Sequence, residues 1–491
     1  MDDATSTAIV DDEPNGDAPR RALDSRTDER GRTNWLSFVF WLLEQPWPTL
    51  LAIPTAIAAL AVVHFHGGAL MFALTWLAVP ITGIGLPVLF IVYKSHQHDG
   101  GTTDWTPYIS FRDSRDAARW SGKKIPMEIL YEAYMNGKLD FKEDLYQVML
   151  RRNGLFRFCF TWGDFKYYFF TLLRQKLGHS LSMDRDDVAP NYDRGNDFYG
   201  WFLGDTMVYT GAIFQDVSES LEAAQRRKLE TVCKYVHMEP GDRHLDIGCG
   251  WGTLLAHAAE KHGTRSTGIT LAKEQAEWAM RRAREAGVGD RVRVLVDDYR
   301  NIPDERYDKI TCLEMAEHVG IRNFQKFLLQ VRGLLEDDGM FYLQIAGLRR
   351  AWQYEDLVWG FFMSKYIFPG ADASCPLGFV VSQLERAEFE VHRVENCGPH
   401  YSVTLQKWYA NWKRNEAAIV AKYGERWFRM WTMFLGWSAI IAAQGTSTVF
   451  LITATKNHKN DRSSVSADEA KRQPFNRRER FIGRNPIATQ E

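Results

Sequence analysis

The sequence predicts an α/β protein, a parallel sheet with helices on both faces, preceded by a two-helix transmembrane hairpin. Three observations carry this. From about residue 225, short β-rich runs alternate with helical stretches, the rhythm of a sheet covered on both sides. The first run, His244-Leu245-Asp246-Ile247-Gly248-Cys249-Gly250-Trp251-Gly252, ends in an acid and then in glycines that open a helix. Near the N-terminus stand two apolar runs without a single Asp, Glu, Lys or Arg.

Residues 1–33 are rich in Asp, Arg, Ser and Gly and hold few large apolar side chains. Such a segment buries too little surface to offset the entropy of ordering, so disorder is expected. Its start, MDDATST, is acidic and unlike a signal peptide. The hairpin is expected over 34–95, with one apolar run from Trp47 to Phe65 and another from Leu70 to Tyr93. Each is long enough to cross about 30 Å of hydrocarbon. Prolines 80 and 87 suit membrane helices better than soluble ones. Arg20, Arg21, Arg26, Arg30 and Arg32 precede the pair, Lys94 follows it, and the link between the runs has no Lys or Arg. The positive-inside rule then puts both ends in the cytosol. The expected location is the endoplasmic reticulum or another endomembrane.

Residues 96–190 read as an amphipathic, linking helical region. Basic residues among aromatics in DLYQVMLRRNGLFRFCFTWGDFKYYFF fit a helix lying on the bilayer, and equally one packed on the α/β domain. The runs RHLDIGCG, STGIT, VRVLVDD, YDKITCLE and GMFYLQIA supply strands. A third apolar run, Trp431 to Thr455, is interrupted by Gln444-Gly445-Thr446-Ser447 and ends β-branched. It reads as a helix, a break and the last strand. Residues 457–491 are charged and expected to be disordered.

Charge excludes one partner class: 60 basic against 62 acidic residues give no reason to expect nucleic acid. The six cysteines form no CxxC pair, so free thiols and no structural metal are expected. The 29 Phe, 19 Tyr and 17 Trp suit lipid interfaces and apolar pockets, and equally a large aromatic core.

Glycines 248, 250 and 252 allow a ligand to approach the main chain beyond the strand ends. A dinucleotide would fit a glycine loop of this kind, but the Asp246-first form resembles the S-adenosylmethionine (SAM) signature of class I methyltransferases. Asp246 alone would also pass for a helix N-cap. After the second strand, at Thr270 and Leu271, Gln275 is placed to bond the ribose hydroxyls, with Glu274 competing. The third strand ends Asp297-Asp298-Tyr299, an acid for the adenine amino group and a ring for the base.

Asn191-Tyr192-Asp193-Arg194-Gly195-Asn196-Asp197-Phe198-Tyr199, then Met207-Val208-Tyr209-Thr210-Gly211-Ala212, resemble the cyclopropane fatty acid synthase family. So do the DIGCGWG loop, Asp298-Tyr299-Arg300 and Met315-Ala316-Glu317-His318-Val319-Gly320. The resemblance covers about 190–456 and implies a Rossmann-like class I SAM-dependent methyltransferase domain over 191–456, with Tyr209 and Thr210 beside the cofactor. Two N-terminal spans and the long 96–190 stretch are similar to the fungal sphingolipid C9-methyltransferases. This implies SAM-dependent methylation of the sphingoid-base Δ8 double bond of ceramide or glucosylceramide. A phospholipid cyclopropane synthase and a sterol methyltransferase are the alternatives.

Cyclopropane synthases hold bicarbonate with a Cys, a Glu, a His and a Tyr. The matching positions here are Gly211, Glu317, Gln344 and Tyr401, so two of the four anchors differ. The resemblance implies a carbocation on the lipid, stabilised by Glu317, Tyr401 and Tyr199, with a base to take a proton. Glu317 also fits a structural acid, and His318 fits a supporting neighbour better than the base. The altered Gly211 and Gln344 favour a branched alkene over a ring. The insertion at about 348–397 is implied to cover the acyl site; an ordinary packed lid is the other reading.

Overall fold

The computed structural model describes residues 57, 60, 74–76, 93, 95, 101–167, 195–350, 353–369 and 375–457. The expected disordered ends lie outside them, as does most of the expected hairpin. Within the hairpin Ile57, Leu60, residues 74–76, Tyr93 and Ser95 are helical. Among the described residues no helix is long and apolar enough to cross a membrane. The chain divides into two compact units, Met1–Val79 and Pro80–Glu491. The sheet and its cleft belong to the second.

Seven strands form that sheet: β1 (Arg243–Ile247), β2 (Arg265–Thr270), β3 (Val292–Val296), β4 (Tyr307–Leu313), β5 (Leu335–Leu348), β6 (Phe389–Asn396) and β7 (Ser447–Lys456). Their spatial order is β6-β7-β5-β4-β1-β2-β3. The pairs from β3 to β5 are parallel, and β7 runs antiparallel to both β5 and β6. The chain therefore winds outward from β1 to β3, then returns to the other side at β4. The crevice at this reversal, beyond the carboxyl ends of β1 and β4, is where open α/β sheets bind ligands.

Helices α1 (Leu221–Tyr235), α2 (Thr253–His262), α3 (Lys273–Glu285) and α4 (Ile321–Leu334) cover the faces. Ser220 caps α1 by accepting from the Ala223 amide at 3.2 Å. Small residues bring α2 close to the sheet, where Leu255, Ala258 and Ala259 are fully buried. A side chain at Gly252 would meet the Ala279 Cβ at 2.4 Å, so glycine lets α2 start against α3. The apolar run from 431 to 455 resolves as read: a helix, α6 (Glu425–Ala443), a turn through Gly445 at φ 73°, and the wholly buried β7.

Residues 101–167 are less helical than the sequence reading of 96–190. They hold two antiparallel strands, Ile109–Phe111 and Leu139–Phe141, and a parallel pair, Ile125–Pro126 with Phe156–Arg157. Short helices, among them Met127–Met135 and Leu145–Leu150, lie between. Trp105, Tyr131, Phe156 and Phe158 share one core with Trp408, Trp412, Trp431 and Trp437. Of the two readings left open for this stretch, packing on the catalytic domain describes residues 101–167. Strands of two or three residues carry no periodicity from which a sequence reading could find them.

Arg152 ties this layer to the insertion. Its guanidinium donates to Glu355 from two nitrogens, at 2.5 and 3.0 Å, and to Gln444 Oε1 at 2.8 Å. Trp437 Nε1 donates to the same Glu355 at 3.0 Å. Glu355 opens the insertion's first helix, α5 (Tyr354–Phe362), and Gln444 follows α6.

Candidate functional site

The cleft opens where β1 gives way to the glycine loop. Gly248 has φ 82°, and a Cβ there would press on the Met315 side chain at 2.6 Å. Only glycine leaves that space for a ligand. The Gly248 and Cys249 amides both bond Ile269 O at 3.0 Å, which ties the loop to β2.

Asp246 closes β1, buried. Its Oδ1 accepts from Thr311 Oγ1 at 2.7 Å, and Thr311 lies 2.9 Å from His244 Nε2. Because Thr311 spends its proton on Asp246, His244 Nε2 must be the donor to it. His244 Nδ1 then accepts from Ser266 Oγ at 3.1 Å. Burial holds this imidazole neutral, down to about 3, and raises Asp246 to about 6. The neighbouring Lys228 ammonium favours the charged form of Asp246.

The other expected cofactor residues line the same cleft: Tyr209, Thr210, Gly250, Thr270, Leu271, Gln275, Asp298 and Tyr299. Gly252 stands beside it at the start of α2. Thr270 Oγ1 donates to Gln275 Oε1 at 2.7 Å, so the Gln275 amide nitrogen is the donor left to meet a ribose. Asp298 caps a short turn and takes two bonds from the Arg300 guanidinium, both at 2.7 Å. Its carboxylate is thus already held, while the Tyr299 ring lies between Phe327 and Arg300. The donors, the open glycine loop and the buried acid fit SAM.

At the floor, the expected catalytic residues come together with one that the sequence reading passed over. Glu314 follows β4 with φ 53°, a left-handed conformation that a side-chain-bearing residue seldom adopts. Its amide donates to Gln344 O at 2.7 Å. Its Oε1 accepts from the Gly211 amide at 2.8 Å and from Gln344 Nε2 at 2.6 Å. Glu314 and His318 line the cleft. Glu317 is buried behind them, and its Oε1 accepts from the Ala346 amide. No described residue bonds Glu317 Oε2. Burial, then the charge of Glu314, pushes the Glu317 carboxyl up to about 8. Burial pushes His318 down to about 4, so its ring is neutral. A Cβ at Gly211 would lie 3.3 Å from the Tyr401 ring, which puts that ring at the same floor. Tyr199 packs on Trp251 and Tyr209, with ring centroids at 5.0 and 5.6 Å.

Lys228, also unforeseen, is fully buried on α1 and donates to Thr210 Oγ1 at 2.8 Å. Burial lowers it to about 8, against the opposing charges of Glu314 and Asp246. A lysine inside an amphipathic helix gives no signal in the sequence. Glu314 did give one, an acid directly after a strand.

Away from the cleft, donor atoms of Cys233, His257 and His262 lie within 4.8 Å of one another. Both imidazoles bond Glu230 Oε2, at 3.3 and 3.1 Å, and burial raises the thiol. The cluster is accounted for as hydrogen bonding around Glu230.

Residues 179–452 match the family model described as mycolic acid cyclopropane synthetase. The chain is 51% identical to sphingolipid C9-methyltransferase A of Emericella nidulans over 71% of its own length and 69% of that protein. It is 44% identical to the sphingolipid C9-methyltransferase of Komagataella phaffii, over 88% of this chain and 92% of that one. Among solved structures it resembles the mycolic acid cyclopropane synthase CmaA1 complexed with SAH and CTAB. There the TM-score is 0.53 and the identity 27%, over 55% of this chain and 98% of the other.

Proposed function

This chain belongs to the mycolic acid cyclopropane synthetase family, in its sphingolipid C9-methyltransferase branch, and we propose how its site performs that chemistry. It is an enzyme that uses SAM to place a methyl group at C9 of the sphingoid base, on the Δ8 double bond of ceramide or glucosylceramide. One observation carries the mechanism: Glu314 lines the cofactor cleft, with the protonated Glu317 carboxyl buried behind it and the Tyr401 ring against Gly211.

SAM, when bound, supplies an electrophilic methyl group at this floor. The glycine loop, Asp246, Gln275 and Tyr299 would hold it. Holding the alkene and the methyl donor in one orientation removes most of the entropic barrier to their encounter. The lipid alkene that accepts a methyl becomes a cation, which carboxylates and aromatic faces stabilise in a site closed to water. Tyr199, Tyr209 and Tyr401 supply the rings. The insertion at about 348–397 covers the acyl chain. Supporting this, Phe368 stands with its ring centroid 6.3 Å from His318 and 6.4 Å from Tyr209. A π-helical turn at Met363–Ile367 leads into it, a distortion frequent at functional sites.

The enzyme is anchored by the hairpin of 34–95 in the endoplasmic reticulum or another endomembrane, with its catalytic unit in the cytosol. Two charge-free runs flanked by arginines support that reading. The direct test is to supply purified enzyme in lipid nanodiscs with SAM and Δ8-unsaturated ceramide or glucosylceramide. A methyl branch at C9 is expected. Absence of any methylated sphingolipid, with SAM bound, would overturn the reading.

A further inference from the structure

We propose that Glu314 is the base that takes the proton in this methylation, its own carboxylate standing where the family's cyclopropane synthases place bicarbonate. The inference rests on the methyltransferase reading and deepens it. The anchors of that anion are incomplete here, because the Cys position is Gly211 and the His position is Gln344. The structure shows what replaces them. Gly211 stands directly against a carboxylate: a Cβ built there would already touch it, 3.6 Å from Glu314 Oε1 and 3.8 Å from Gln344 Nε2, so a longer side chain would need the space that Glu314 occupies. Into that space Glu314 brings Oε1, which takes the Gly211 amide at 2.8 Å and the Gln344 amide nitrogen at 2.6 Å. The main chain at Glu314 accepts φ 53° in doing so, a strain that persists only where the surroundings enforce it. The residues do not fit a separate bicarbonate, because its two donors are already taken by a covalently attached carboxylate.

Glu314 is better suited to this than Glu317. Glu314 lines the cleft. Burial raises the Glu314 carboxyl above its ordinary value, and the Gly211 and Gln344 donors and the Lys228 charge oppose that by favouring the charged form. Glu317 keeps its proton at neutral pH, because burial and the Glu314 charge raise its carboxyl to about 8 against the Ala346 amide, which favours the charged form. In the step itself, the lipid cation at C8 loses the hydrogen on the methylated C9. The C–H electron pair closes the new double bond, and the proton goes to Glu314, which later releases it to solvent. A base fixed to the protein beside C9, in place of one above the new methyl, yields a branched alkene.

The test uses full-length enzyme in nanodiscs, with three proteins and three readouts. Glu314→Gln should lower turnover by about a hundredfold or more, while affinity for S-adenosylhomocysteine, measured by calorimetry, changes by less than about threefold. Glu314→Gly suits the positive φ and leaves the Gly211 and Gln344 donors in place, so added bicarbonate or formate should restore part of its turnover. The unsubstituted enzyme in carbonate-free buffer should be unaffected by added bicarbonate. The inference is overturned if Glu314→Gln stays near full activity, if it loses the cofactor analogue, if neither anion rescues Glu314→Gly, or if the unsubstituted enzyme needs bicarbonate. Failure of the underlying reading is distinguishable: the unsubstituted enzyme would then methylate no sphingolipid in any buffer.

Discussion

At neutral pH the Glu317 carboxyl carries its proton, because burial and the Glu314 charge push it up to about 8. An unfolded glutamate ionises near about 4.3. The protonated form is thus favoured in the folded state. The stability this gives is complete below about 4.3 and is lost as pH rises through about 8. Glu317→Gln, a mimic of the neutral acid, should flatten that decline by about 1–3 kcal/mol, read from denaturant melts at pH 5 and pH 8. Parallel pH profiles for both proteins would contradict it. The same variant should keep more turnover than Glu314→Gln. Gly248→Val is the cofactor counterpart. With φ 82° and Met315 at 2.6 Å, the branched side chain should weaken S-adenosylhomocysteine binding at least about tenfold. Affinity unchanged in a folded Gly248→Val protein would mean that the cofactor does not use this loop. The site was legible where residue type and strand end coincide, as at Asp246, Gln275 and Glu317. Glu314, an acid directly after β4, lay three residues from the motif-matched acid, and what the sequence did not show was its pairing with Gly211 and Gln344. Lys228 depends on which helix face meets the sheet, which its neighbours in sequence do not reveal.

Between elements, the strongest polar tie is the buried set of Arg152, Glu355, Gln444 and Trp437. It fastens the 101–167 layer to the insertion and to the end of α6. Removing one partner leaves a charge buried without its counter-ion. Arg152→Met or Glu355→Met alone should therefore cost about 3–5 kcal/mol in chemical unfolding. The double variant should cost clearly less than the sum of the two. Additive losses would mean that the two side chains act separately. The sheet was legible because each strand is a β-rich run bounded by turns, and even β7 showed itself through TVFLITATK. The 101–167 layer was not, because its aromatics signal burial without saying whether a helix or a short strand presents them. Lys365 illustrates this. It comes from the π-helical turn, bonds Glu132 at 2.9 Å, and so joins two segments 233 residues apart.

For the whole molecule, the expected topology places the chain on both sides of the hairpin in the cytosol. In sealed microsomes the catalytic unit should be digested by added protease without detergent. Full protection would reverse the orientation. The chemistry is read most directly from the product. Purified enzyme is given a Δ8-unsaturated sphingolipid and SAM whose methyl group carries three deuterons. Proton loss from C9 leaves all three in the product, which mass spectrometry detects on a chain that still contains its double bond. Ring closure must instead take a deuteron from the methyl. A product with two deuterons and no double bond would contradict this account and make the protein a cyclopropane synthase.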